Sequence, residues 1–446
     1  MENTVPNKKI KILTISDHPL SPSGVGTQTK YFIIEMLKTG KFQFVSLGGA
    51  IKHDNYSPVQ LEEFKDDWTI YPVDGYGDQD KVRSLIRSYK PDILWFMTDP
   101  RFYGWLWEIE NEIRSLVPMV YYHVWDNYPY PEFNKVWYDS TDTIATISKL
   151  TSDIVQNVSP TVKEKYIPHA IPTDIFKKGS NLERNSFRKS NFNLEEDDFL
   201  IFWNNRNARR KQSGSLIYWF NNFLTNLKKK SKDTKAVLLM HTEPTDPNGQ
   251  DLYAILHNLG LSNGEVLISR EKIPPQSLAN LYDSADCTIN VSDAEGFGLA
   301  TFESMACETP VIVTMTGGLQ EQVTDVGKVT HDIMVKRNNK VKKVIEYEHG
   351  IGIEPASKAI IGSQQVPFIY EDRVNGKDVS TAIMKMYEYG KEKREALGSQ
   401  AREHVMNNYS FEKFSKNWEE LLFETYNEYG SWEERKNYKS WELIEA

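Results

Sequence analysis

The chain has 446 residues, a formal net charge of −9, 39% hydrophobic and 26% charged residues, and two cysteines. That length exceeds one ordinary core and suits two domains. The acidic balance disfavours a general nucleic-acid binder, which needs a basic surface to displace counterions. Cys287 and Cys307 lie in apolar stretches without metal-ligand spacing, so buried reduced thiols are expected rather than a disulfide scaffold. MENTVPNKK at the start has no apolar core of signal-peptide length, and no stretch approaches the roughly 20 apolar residues of a membrane helix. The expected location is cytoplasmic, with peripheral membrane contact left open.

The first half alternates short apolar runs with helical patterns. The runs are Ile10–Ser16, Phe42–Leu47, Thr69–Val73, Ile93–Met97, Met119–Val124 and Thr143–Ile147, with helices at Thr27–Leu37 and Lys81–Tyr89. Such alternation predicts a doubly wound parallel sheet. A second series starts at Phe199, with strands at Phe199–Trp203, Ala236–Met240, Val266–Ser269, Cys287–Val291 and Val311–Thr314. Its helices are expected at Gly214–Lys229, Gln250–Leu259, Pro275–Ser284 and Gly298–Cys307. The polar stretch Asn181–Asp198 separates the series and sets the expected boundary: domains at 1–180 and 181–408, then a helical tail at 409–446 crossing back to the first domain. Lys328–Glu348 fits neither series and reads as a hairpin or an insertion. The aromatic-rich Tyr429–Trp441 should pack on something.

The strongest chemical signal is Glu295-Gly-Phe-Gly-Leu-Ala-Thr-Phe-Glu303. Gly296 and Gly298 let the backbone turn tightly and approach a ligand, and the helix that follows offers free N–H groups and its positive dipole end to a diphosphate. Glu303 falls roughly 7 Å along that helix from Gly298, within reach of ribose hydroxyls. Glu295, on the preceding loop, is placed to meet a sugar. The bland alternative is a glycine turn flanked by two surface glutamates.

The basic run Asn204-Asn-Arg-Asn-Ala-Arg-Arg-Lys211 follows the first strand of the second series. An Arg fork and a Lys point charge suit a diphosphate and would stabilise it as a leaving group. A solvated surface loop is the alternative reading, most of all for Arg209 and Arg210. In the first series, Asp17-His-Pro-Leu-Ser-Pro-Ser-Gly-Val-Gly26 ends the first strand. It lacks the complete dinucleotide fingerprint, since Thr29 stands at the third glycine position and no acidic residue ends the second strand. A Rossmann oxidoreductase is therefore disfavoured. His123 ends another strand, followed by Trp125, Asp126 and Asn127. A lone histidine in an apolar run is often core, but strand C-terminal ends are where open α/β sheets build sites. Asp126 is either a site group or a helix cap.

From Leu281 to Glu321, with Gly317-Gly318 near its end, the chain resembles family 4 of the glycosyltransferases. It departs from that family's common pattern at Glu308 and Gln320, and at His169-Ala170, where Asn-Gly is usual; His169 is expected to be structural. The resemblance implies an α/β fold of the GT-B type, two Rossmann-like doubly wound domains facing a central cleft. It implies a retaining transferase that moves a hexose-type sugar from a UDP- or GDP-sugar to a hydroxyl of a glycan, lipid or protein. Carried over residue by residue, it makes His123 and Glu295 catalytic-site residues. Gly24, Gly26, Arg206, Lys211, Gly296, Phe297, Gly298, Leu299 and Glu303 become donor-binding. No cofactor and no metal ion is expected, because basic groups and the helix N-terminus neutralise the diphosphate. No nucleic-acid partner is implied. The alternatives are a catalytically silent sugar-nucleotide-binding or scaffold module of the same fold, and a two-domain sugar-nucleotide epimerase.

Overall fold

The computed structural model describes residues 8–231, 234–325 and 343–441. The chain divides into two compact units. The first takes in the described parts of Met1–Ala170, Gly362–Phe368 and Phe411–Ala446; the second takes in those of Ile171–Ile361 and Ile369–Ser410.

The first unit is built on eight strands: β1 (Ile10–Asp17), β2 (Phe42–Gly49), β3 (Val59–Gln60), β4 (Trp68–Pro72), β5 (Ile93–Met97), β6 (Met119–His123), β7 (Thr143–Thr146) and β8 (Lys163–Tyr166). Their order is β3-β4-β2-β1-β5-β6-β7-β8, parallel except for the short β3–β4 pair. The central strands are apolar along their whole length, as strands covered on both faces must be; every residue of β5 and β6 is buried. The chain order reverses between β1 and β5.

The helix Phe411–Tyr429 lies in this first unit. Its Trp418 is fully buried, with ring centroids 4.7 Å from Phe32, 5.9 Å from Trp95 and 4.9 Å from Tyr122. Salt bridges from Lys41 to Glu419 and from Lys163 to Glu428 flank the same face. The aromatic tail packs as well. Arg435 bonds Asp142 at 3.0 Å, and Arg114 sits 4.7 Å from the Tyr438 ring centre, although Trp441 stays exposed.

The second unit has a seven-stranded sheet of β9 (Phe199–Asn204), β10 (Ala236–His241), β11 (Val266–Ser269), β12 (Cys287–Asn290), β13 (Val311–Thr314), β14 (Val344–Tyr347) and β15 (Gly350–Ile353). The order β11-β10-β9-β12-β13-β15-β14 repeats the 3-2-1-4-5-6 pattern of dinucleotide folds, with β14 added antiparallel at the edge. A separate hairpin pairs β16 (Ser357–Ile361) with β17 (Ile369–Arg373). Phe220, Phe223, Leu224 and Leu227 of the helix Ser213–Lys230 cover one face of the sheet. Cys287 and Cys307 are buried and unbridged, and burial pushes both thiols far up.

The expected boundary shifts. The polar stretch after residue 180 is folded. Asn181–Phe192 is a helix opened by a capping box between Ser180 and Glu183, and its Arg188 is buried against Asp286 at 2.9 Å. The units divide at Ala170, ten residues before the expected boundary at 180, because the next segment packs in the second unit: Arg402 donates to the Phe176 carbonyl at 3.1 Å. Of Lys328–Glu348, residues 328–342 lie outside the described residues, and the remainder enters the β14–β15 hairpin.

Candidate functional site

In open α/β sheets a crevice opens where neighbouring strands send their connections to opposite sides. In the second unit this point lies between β9 and β12, and both sequence motifs leave from it. After β9 the chain runs through Arg206 into a short 3-10 turn, Arg209–Lys211, before its next helix. After β12 it runs through Asp293 and Glu295 into the helix Leu299–Ala306.

The two loops meet in a buried ion pair, Lys211 Nζ to Glu295 Oε2. Only 9% of the Lys211 side chain and 13% of the Glu295 side chain is exposed, so the pair is shielded from screening. Burial alone would raise the Glu295 carboxyl; the charges of Lys211 and then Arg210 outweigh it and hold the group below its ordinary value. Arg210 also donates to the Ala294 carbonyl, and Asp293 N–H donates to the Arg210 carbonyl at 2.8 Å, stitching loop to loop.

Gly298 has φ +90°, which side chains resist, and a Cβ there would lie 2.5 Å from Leu319 Cδ2. Gly318 is needed for space. Its Cβ would fall 2.3 Å from the Gly296 carbonyl oxygen, and its N–H donates to the Glu295 carbonyl at 3.0 Å. Gln322 locks the turn by donating to the carbonyls of Phe297 at 2.7 Å and Gly298 at 3.0 Å. No side chain caps the helix that starts at Leu299, which leaves its first turn for an anion. Further along, Glu303 Oε2 accepts from Tyr282 at 2.8 Å, whose hydroxyl accepts from Asn204 at 2.8 Å. Burial pushes the Glu303 carboxyl up to about 7.

Arg206 stands apart from Lys211. It is 64% exposed and grips Asp246 with two hydrogen bonds, at 2.7 and 3.2 Å, which helps hold Asp246 down at about 2. Arg209 is 56% exposed, as the solvated reading allowed, yet both it and Arg210 have fixed partners. Arg209 forks onto Glu371 of β17, a side chain only 2% exposed, and Arg373 bridges the same Glu371 to Asp293 at 3.1 Å. Burial pushes Asp293 up to about 6 despite these partners. Phe297 turns inward, with its ring 5.0 Å from Phe302 and 5.9 Å from Tyr409, so only its backbone can serve a ligand. Asp246, Glu371 and Arg373 were missed in the sequence. Only Asp246 left a signal there, the turn sequence Asp246-Pro-Asn-Gly249 at the end of β10.

In the first unit, Gly24 is exposed at the start of the helix Gly24–Lys38. Gly26 is buried, and a Cβ there would lie 2.5 Å from Ser21 Oγ. Its N–H is committed to Ser23 Oγ at 2.9 Å, so Gly26 serves close packing rather than offering a donor. Ser23 donates to Asp17 at 2.5 Å, and Tyr76 donates to the other oxygen of Asp17 at 2.8 Å. His123 lies at the end of β6, away from the β1/β5 reversal. It is fully buried, and its Nε2 is 2.6 Å from the Tyr138 hydroxyl. Burial lowers its pKa to about 3, and its carbonyl accepts weakly from Ile147 at 3.4 Å. Its ring therefore lies in the core rather than on a surface a sugar could reach, and it stays neutral. Asp126 caps no helix; the next helical turn begins at Glu132. His169 is buried, 2.8 Å from the Tyr122 hydroxyl.

The model of the family described as glycosyl transferases group 1 matches residues 220–346. Over 81 residues the chain is 38% identical to a D-inositol 3-phosphate glycosyltransferase of Acidothermus cellulolyticus, covering 18% of this chain and 17% of the relative. Over 56 residues it is 45% identical to that of Mycolicibacterium smegmatis, covering 12% and 13%. These matches span less than a fifth of either protein. Among solved structures, sucrose-phosphate synthase from Thermosynechococcus elongatus superposes with a TM-score of 0.67 at 16% identity, over 94% of this chain and 100% of that one. Anabaena HepE in complex with UDP-glucose gives 0.63 at 14%, over 93% and 99%. The chain has the GT-B architecture of two Rossmann-like units. Within that architecture, the segment 220–346 is similar to the family described as glycosyl transferases group 1. No described helix is long and apolar enough to cross a membrane.

Proposed function

We propose that the chain is a retaining glycosyltransferase that moves a hexose-type sugar from a UDP- or GDP-sugar to a hydroxyl acceptor, such as a glycan, lipid or protein. The observation that carries this reading is the Lys211–Glu295 pair beside the uncapped helix at Leu299. A buried lysine, an open helix N-terminus and a carboxylate on the glycine turn give an incoming nucleotide sugar a partner for its phosphates and one for its sugar. Glu303, supported by Tyr282, is set for the ribose hydroxyls. Solved HepE was captured with UDP-glucose, which favours a nucleotide-sugar donor here.

In this reading Lys211 and the helix dipole stabilise the departing diphosphate, so the reaction needs no divalent ion at the diphosphate. Glu295 holds the sugar, and its ionised state, maintained by Lys211 and Arg210, keeps it an acceptor of hydroxyl protons. A thermal-shift panel of UDP-, GDP- and ADP-sugars tests the reading, since a ligand bound only by the folded chain raises its melting point. One donor class should stabilise the protein and then be turned over with a hydroxyl acceptor, and EDTA should leave that turnover intact. Binding without hydrolysis or transfer would select the catalytically silent module instead. Loss of turnover on chelation, restored by magnesium or manganese, would overturn the diphosphate site as drawn.

A further inference from the structure

The second unit holds a cluster of metal-ligating side chains that shares no residue with the donor site. Asp325 follows the helix Leu319–Val323, His349 sits in the turn between β14 and β15, and His404 lies on the helix Gly390–Asn408. One ligating atom from each falls within 4.8 Å of the other two.

The hydrogen bonds decide which nitrogens are available. His404 Nε2 lies 2.9 Å from the Glu321 carbonyl, which can only accept, so that nitrogen carries the proton. The lone pair is then on Nδ1, which faces the Asn408 amide at 3.2 Å. An imidazole that donates its far N–H to a carbonyl is the usual arrangement of a metal-binding histidine, because the bond fixes tautomer and ring orientation. His349 stacks on His404 with centroids 4.1 Å apart, and its Nε2 lies 2.8 Å from Asp325 Oδ1. Its buried Nδ1 has no hydrogen-bond partner among the described residues.

These groups line a cavity of about 510 Å³. Among the described residues its wall carries three carboxylates, Asp325, Glu348 and Glu403, and no lysine or arginine. A roomy cavity whose described wall carries two imidazoles and three carboxylates offers ligands to a cation. Imidazole nitrogen with one carboxylate oxygen selects a borderline ion such as zinc over magnesium, which prefers oxygen alone.

We propose that Asp325, His349 and His404 bind one zinc-class divalent ion through an oxygen and two imidazole nitrogens, leaving a fourth position open to solvent. Ligands around tetrahedral zinc stand about 3.3 Å apart. Binding therefore draws the cluster inward, with the half-exposed Asp325 at its outer side. The ion replaces the His349–Asp325 bond and engages the lone pair of His404.

The test uses the full chain, stripped with chelator and dialysed. Calorimetric titration with zinc chloride should give one ion per chain, and magnesium chloride should give no heat of binding. Cobalt(II) should produce the intense visible bands of a tetrahedral site. Asp325→Asn and His349→Asn should each weaken zinc binding at least tenfold and abolish the cobalt bands, with circular dichroism unchanged. His404→Ala, which removes a buried ring, serves only if it folds. The site is wrong if the wild-type chain takes up no zinc, or if both conservative variants retain full zinc stoichiometry and affinity.

Discussion

The two units reverse their strand order at equivalent places and furnish those places with different chemistry. At the β1/β5 reversal of the first unit, the groups around Asp17 are hydroxyls: Ser23 and Tyr76 both donate to its carboxylate. At the β9/β12 reversal of the second, Lys211, Arg206, Arg209 and Arg373 meet Glu295, Asp246, Glu371 and Asp293. One scaffold thus supports two kinds of site, because the fold fixes where strands end and leaves open what the loops carry. Hydroxyls around one carboxylate suit a polar, uncharged ligand. Dense paired charge suits a ligand that brings its own charge and exchanges partners on arrival.

The largest expected effect tests whether the units are energetically separate in this way. Trp418→Ala empties a fully buried site between Phe32, Trp95 and Tyr122 and should destabilise the first unit by about 3–5 kcal/mol. Thermal unfolding measures it. Donor affinity of the folded variant should stay within about twofold of wild type, which is ordinary variation for an uncoupled site. A large loss of donor affinity in folded protein would show that the charged reversal does not work alone. Next comes Lys211→Ala, which removes a phosphate partner and leaves Glu295 with a weaker counter-charge. Transfer efficiency should fall about 10- to 100-fold, the scale of one lost hydrogen bond to a charged group. Wild-type transfer by this folded variant would move the donor site elsewhere. Arg206→Ala should cost less, about fivefold, because Arg206 is largely exposed and must surrender Asp246 before it can hold a phosphate. An effect as large as that of Lys211→Ala would mean that Arg206 swings in fully on binding.

Strands were legible because their apolar runs are short and bounded. Ile93–Met97, Val266–Ser269 and Val311–Thr314 occur where the runs stand. The edge strand β8, whose residues are all partly exposed, and the β16–β17 hairpin carry no such run and went unseen. The glycine turn was legible because its chemistry is local: two glycines, a helix start and two carboxylates in nine consecutive residues. The partners of Arg209 were not, since Glu371 is 162 residues away and looks like any strand glutamate until the hairpin buries it. The Asp325, His349 and His404 cluster was hidden for the same reason, with no two of its ligands in one element. His123 was read from its strand end alone, a position that does not foretell the burial of its ring against Tyr138.

The smallest effect expected concerns Glu303, and pH reads it. Burial raises its carboxyl from 4.5 to about 7. The folded chain therefore keeps that proton through a window in which the unfolded chain has lost it, so this group's contribution to stability falls as pH rises from 4.5 toward 7. Donor binding runs the other way. Ribose hydroxyls donate to a carboxylate, and a protonated Glu303 must give up its proton, or accept a poorer bond, before it can receive them. With a free-state value near 7, donor affinity should drop about fourfold between pH 8 and pH 6.5, by the change in ionised fraction alone. Titration calorimetry at the two pH values measures this. In Glu303→Gln, which accepts through an amide oxygen at every pH, affinity should be lower at pH 8 but nearly flat across the window. A wild-type profile as flat as that of the variant would mean that Glu303 is ionised throughout, or that it does not touch the donor. The magnitude of the Glu303→Gln loss at pH 8 separates those two outcomes, because only a residue in contact with the donor weakens binding when its charge is removed.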